Sequence, residues 1–193
     1  MSLLMRKIER IGMAAFFLLM AVQLAWAGDF KIESDKSSLY FRIPHLMGFT
    51  VGKFERFAGT IQLNDENKAL QGFSVQIEVG SVNTRQSDRD ADLKSERFFD
   101  AAKFPQAQFV VKSVEPNQVR GDLTLHGVTK EVVLEYALLP GQKNDAGRWW
   151  TALTLHGTLN RKDFGITYNE QLDDGGWLLG DDVDLKIEFL GMQ

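Results

Sequence analysis

From Ser37 onward, apolar and polar residues alternate with a period close to two along most of the chain. Leu39, Phe41 and Ile43 interleave with Ser38, Tyr40 and Arg42, and Phe57, Gly59, Ile61 and Leu63 with Ala58, Thr60 and Gln62. Phe73, Val75, Ile77 and Val79 then alternate with Ser74, Gln76 and Glu78. Successive side chains of a strand point to opposite faces, so each run predicts a strand with one apolar and one solvated face. The pattern resumes at Phe109 and Val111, then at Val119, Gly121, Leu123 and Leu125, and again at Val132, Leu134, Tyr136 and Leu138. Trp149 to Leu159 is the longest one-faced run, and Val183, Leu185, Ile187 and Phe189 form the last.

About eight strands joined mostly by short turns, such as those at Pro116-Asn117 and Gly127, require antiparallel neighbours. The period alone fits a sandwich as well as a barrel, but a closed barrel gives every strand one buried face and leaves no edge. The expected fold is an all-β antiparallel barrel of about eight strands. No internal repeat or linker divides it, so residues 28–193 are read as one domain.

The segment from Ser81 to Phe109 abandons the alternation. It predicts one short helical insertion around residues 87–102. Ser87 with Asp90 resembles a capping box, and Asp88, Asp90 and Asp92 suit the positive end of a helix dipole. Leu93, Phe98 and Phe99 offer an apolar stripe to lay over the barrel as a lid, and Pro105 ends the excursion by holding Phe104 extended. Gly52 and Phe54 are read as part of a turn.

The first residues belong to another kind of segment. Arg6, Lys7 and Arg10 precede an apolar run from Ile11 to Leu24, and Ala25-Trp26-Ala27 supplies a small-residue cleavage pattern. Residues 1–27 are expected to be a cleaved signal peptide that delivers the domain to the periplasm. Removing Arg6, Lys7, Arg10 and Glu9 moves the formal net charge from −4 to −6. An acidic domain with scattered cations argues against binding nucleic acid. The chain has 0 cysteines, so export brings no disulfide.

Catalytic chemistry finds little purchase. No G-x-S-x-G elbow occurs, and the pairs Asp173-Asp174 and Asp181-Asp182 beside Gly175-Gly176 read as solvated loop charges. Asp88-x-Asp90-x-Asp92 starts like a calcium loop, but Leu93 and Phe99 stand where that loop needs glycine and glutamate. His126 and His156 fall on polar faces. His45 continues the inward parity of Leu39, Phe41 and Ile43, and Arg161 and Asp163 extend that of Leu155 and Leu159; a mutual or strand-end salt bridge is the simplest reading of the latter two. No catalytic residue, metal site or cofactor is expected. Alternation alone favours a filled core, although barrels of this size can also keep room for one small ligand.

Several motifs in order resemble the YceI-like family. They are Phe41-x-Ile43-x-His45, Gly52-x-Phe54, Ser81-Val82-x-Thr84, Arg89-Asp90-x-x-Leu93-Lys94-Ser95, Phe98-Phe99-Asp100 and Phe104-Pro105. Gly121-x-Leu123-Thr124-Leu125-His126-Gly127-Val128-Thr129-Lys130, Arg161-x-Asp163-Phe164-Gly165 and Gly180-Asp181-x-Val183 complete them. Glu131 departs from the proline that the family often places after the lysine. The resemblance implies a lipocalin-like barrel whose pore holds a polyisoprenoid or similar amphiphile, which makes the chain a periplasmic lipid carrier. On that reading Phe41, Phe73, Val75, Ile77, Leu123, Leu134, Tyr136, Trp149, Leu153, Leu155, Leu185 and Ile187 line the pore, and His45 and Arg161 meet the headgroup. The expected partners are an isoprenoid or other long-chain lipid, a membrane touched transiently during lipid exchange, and a second copy in a homodimer. An enzyme acting on such a lipid, with His45 or an acid as general acid/base, and a ligand-free stress-related barrel are the alternatives.

Overall fold

The computed structural model describes residues 28–173 and 175–193; the expected signal peptide lies outside the described residues. The strands are β1 (Asp29–Ile32), β2 (Ser38–His45), β3 (Gly48–Phe54), β4 (Phe57–Leu63), β5 (Leu70–Glu78) and β6 (Val82–Asn83). After the helix α1 (Ser87–Lys94) come β7 (Gln106–Glu115), β8 (Gln118–Leu125), β9 (Val128–Lys143), β10 (Trp149–Asn160) and β11 (Asp182–Met192). All pairings are antiparallel. A ring of eight strands runs β1-β4-β5-β7-β8-β9-β10-β11 and closes where Lys31 and Ile32 of β1 pair with Met192 and Gly191 of β11.

One edge of β11 is shared by two partners. Its last residues pair with β1, whereas Asp184–Glu188 pair with β2, which carries β3 and, through Lys53 and Phe54, β6. The barrel is thus sealed by a short strand at one end and prolonged by the β2–β3 hairpin at the other. The expected eight-stranded barrel is present, with β1, β3 and β6 added to the strands that alternation revealed. Gly52 lies inside β3 rather than in a turn: it faces Phe41, and a Cβ there would stand 2.3 Å from the Phe41 ring. The glycine leaves room for that ring.

Side chains at the sealed end form a solid core. Phe30, Ile61, Leu153 and Leu155 are wholly buried, and Phe189 nearly so. Gly191 lets β1 approach, since a Cβ on it would lie 2.8 Å from Phe30 Cβ. Thr151, also wholly buried, donates its hydroxyl to Leu139 O at 2.6 Å, which satisfies the polar group.

The insertion is shorter as a helix than expected, ending at Lys94 and continuing as turns to Lys103. Ser87 is not its cap. Gln86 occupies that position without a side-chain bond, and Asp90 turns back instead to accept from Thr84 N and Thr84 Oγ1 at 2.7 and 2.6 Å. Pro140 and Gly141 lie within β9, which runs on to Lys143 without a break.

Candidate functional site

Inward-facing apolar residues do not fill the barrel near the insertion. They surround a cavity of about 320 Å³, at the small end of the ~300–1,000 Å³ typical of ligand sites. Eight of the twelve residues expected to line a pore do line it: Phe41, Phe73, Val75, Ile77, Leu123, Leu134, Leu185 and Ile187. Phe54, Phe109 and Phe189 join the wall. Phe109 and Phe189 share the inward parity of runs that alternation revealed, so periodicity carried the signal that would have found them; Phe54 sits on β3, whose rhythm the glycines interrupt.

Tyr136, Trp149, Leu153 and Leu155 do not line the cavity. Leu153 and Leu155 are wholly buried in the solid core. Trp149 is half-buried near the chain's end, where its carbonyl accepts from Gln193 N at 3.0 Å, and Tyr136 is half-buried beside Leu155. Parity reports the face of a strand and is silent about depth along the barrel axis. That is why these four were misplaced.

A lid closes over the cavity. Phe99 packs on Phe54 and Phe41, with ring centroids 5.6 and 6.4 Å away, and Phe98 meets Tyr168 edge-on at 5.2 Å. Arg97 stacks 3.9 Å above the Tyr168 ring and reaches Asp92 at 3.4 Å and Glu170 at 3.8 Å. The Tyr168 hydroxyl donates to Glu170, which holds the phenol above its ordinary pKa. The insertion is therefore fastened to the loop of residues 165–181, and both contribute to the cavity wall. Arg89 anchors the base of the lid by donating to Thr84 Oγ1 at 2.8 Å and Thr84 O at 3.0 Å. Among the described residues Arg89, which borders the cavity, has no carboxylate partner. Neither Arg89 nor Arg97 was singled out from the sequence as a cation at the cavity border.

The two expected headgroup residues behave differently from each other. Arg161 borders the cavity but is only 4% exposed, and its guanidinium is largely committed. It donates to Gly180 O (2.9 Å), Ile166 O (2.8 Å), Tyr168 O (2.7 Å) and Asp181 Oδ1 (3.1 Å). It is a clamp that shapes the 165–181 loop. Its carboxylate partner is Asp181, not the exposed Asp163. A hydrogen bond from Lys162, helped by the charges of Lys162 and Arg161, holds the Asp181 carboxyl below its usual range. His45 turns out of the cavity into an adjoining cleft with Leu46, Trp177 and Leu178, and its Nδ1 accepts from Met47 N at 3.3 Å. The strand ends there, and with it the parity that predicted an inward ring.

His126 is also not on a polar strand face. It and Gly127 have φ of 51° and 74° and make the two-residue turn between β8 and β9, a left-handed hairpin connection. The half-buried ring packs on Phe104 at 4.7 Å and donates through Nδ1 to Phe164 O at 3.1 Å. Asp182 accepts from Asn160 at 3.2 Å. Among the described residues no three His, Asp or Glu side chains converge as metal ligands.

The chain matches the YceI-like domain over residues 30–190. It belongs to the YceI-like family. A UPF0312 protein of Staphylococcus aureus strain MSSA476 is 36% identical over 160 residues, spanning 82% of this chain and 94% of the relative. BcnA of Burkholderia cenocepacia has the same fold, with a TM-score of 0.69 at 23% identity over 82% of this chain and 98% of its own. The Campylobacter jejuni YceI protein aligns at a TM-score of 0.65 and 28% identity, covering 74% of this chain and 84% of its own. A polyisoprenoid binding domain from Saccharophagus degradans aligns at 0.61 and 15% identity, over 84% and 97% of the two chains. In this YceI-like barrel the recognisable motifs are the residues that build the mouth: the Thr84–Arg89–Asp90 anchor, the Phe98-Phe99 lid, the His126-Gly127 turn and the Arg161–Asp181 clamp.

Proposed function

We propose that this protein binds a polyisoprenoid or similar long-chain amphiphilic lipid and carries it through the periplasm after export. The lined, lidded apolar cavity supports the reading most strongly. A chain of about twenty carbons gains roughly 0.8 kcal/mol per buried methylene, well above the ordering costs that binding imposes. The tail supplies affinity. Arg89, a cation at the cavity border without a carboxylate partner among the described residues, gives a preference for an anionic head. The Saccharophagus degradans protein of like fold is described as a polyisoprenoid binding domain, which agrees with this class of ligand. The reading is of a binding protein and assigns no catalytic group.

Titration with a detergent-dispersed polyprenol and the matching polyprenyl phosphate tests it. Leu185 faces the cavity, so Leu185→Trp, with its fold checked by circular dichroism, is expected to weaken both ligands at least tenfold. Arg89→Gln is expected to weaken only the phosphate. Equal affinity of the wild type and Leu185→Trp would overturn the cavity as the binding site.

A further inference from the structure

The hairpin that prolongs the barrel carries an unusual surface. Of nine large hydrophobic residues exposed among those described, five (Tyr40, Leu46, Met47, Phe49 and Val51) sit on β2, β3 or their turn, and Trp177 lies on the loop beside them. Met47 is 88% exposed and Trp177 59%. The other three, Val110, Val133 and Leu139, are on β7 and β9. Scattered single residues need no explanation, but a cluster of this size does.

The hairpin and the Trp177 loop are one platform. Leu46 N donates to Leu178 O at 3.1 Å, and Gly180 N donates to Pro44 O at 2.9 Å. The back of the same platform is cavity wall, since Ile43, Thr50, Leu178 and Leu179 all border the cavity. Arg42 lies 4.1 Å over the Phe49 ring and has no carboxylate partner among the described residues. An apolar tip bearing Trp, Phe, Met and Leu, with a cation set behind it, matches the composition of segments that insert shallowly into a bilayer and place their cations at the phosphates.

We infer that this platform docks on a lipid bilayer surface and sets the cavity mouth against it. The inference rests on the carrier reading for its purpose: an apolar tail then passes from bilayer to barrel without crossing water, where each methylene would be hydrated. A second copy of the chain fits less well. The open edge it would pair with is Gly48–Gly52 of β3, and such pairing leaves the turn residues Leu46 and Met47 and the neighbouring Trp177 in water.

The test is co-sedimentation with vesicles of phosphatidylethanolamine and phosphatidylglycerol that contain no isoprenoid. The wild type is expected to pellet with them, and Met47→Asp/Phe49→Asp to lose at least tenfold in partitioning. The control Val110→Asp/Val133→Asp is expected to retain it. Uptake of polyprenol from detergent micelles is expected to be unchanged in the Met47→Asp/Phe49→Asp variant, which also shows that it is folded. Equal partitioning of that variant and the wild type would overturn the docking surface. So would a wild-type dimer, seen by light scattering, that the variant converts to monomer while the wild type ignores vesicles. Failure of micelle uptake by every form would strike the carrier reading alone, because vesicle binding is measured without ligand.

Discussion

The two ends of this barrel are built from the same alternating strands and come out differently. At the sealed end, Phe30, Ile61, Leu153 and Leu155 are wholly buried, and glycine at 191 lets β1 close the ring. At the mouth, β11 pairs with β2 instead of β1, and the inward residues surround space rather than one another. The space is roofed by two segments that are not strands, the insertion with Phe98 and Phe99 and the loop of residues 165–181. A filled core and a cavity thus follow from one period-two pattern. What separates them is which short element completes the ring.

This contrast can be broken most severely at the clamp. Arg161→Leu strands the carbonyls of Ile166, Tyr168 and Gly180, and is expected to cost about 3–5 kcal/mol in urea unfolding, since each buried acceptor left without a donor costs about 1–3 kcal/mol. Leu155→Ala in the solid end is expected to cost about 2–5 kcal/mol, because a cavity opens where packing was complete. The half-buried Leu185 at the mouth already borders space, so Leu185→Ala is expected to cost only about 1 kcal/mol. Similar losses at the two positions would erase the distinction between the ends.

Smaller effects sharpen it. Arg97→Ala removes the stacking on Tyr168 and two partly exposed ion pairs, for less than about 1 kcal/mol of global stability. Its expected signature is faster release of bound lipid in stopped-flow exchange. The smallest effect is from pH. Asp181 has its carboxyl lowered from the ordinary 3.8, so its contribution is complete above that value and is lost as pH falls through the lowered native value. The group is 38% exposed and screened, so the change is slight. Hydrogen exchange in residues 165–181 is expected to rise at low pH in the wild type, and Asp181→Asn is expected to lack that dependence.

Much of this fold was legible in the sequence, and the reasons for the exceptions are specific. Runs such as Phe73–Val79 and Leu153–Leu159 declare their inward faces directly. Only four residues make up β1, too few for a period to register, and Gly48 and Gly52 interrupt the apolar rhythm of β3. Eight wall residues were legible because parity fixes the face. Leu153 and Leu155 were misplaced because depth along the axis depends on where the floor lies, a property of the closed ring. The pairings Arg97–Tyr168 and Arg161–Asp181 join segments that no local pattern connects. The lid aromatics, by contrast, stood out because they broke the strand rhythm.

The central claim is that the mouth end holds a lipid. The most direct measurement is organic extraction of protein purified natively without detergent, followed by mass spectrometry of the extract. The account predicts one isoprenoid-type lipid per chain, depleted in the Leu185→Trp variant. Recovery of no stoichiometric lipid, together with no uptake of added polyprenyl compounds, would contradict it.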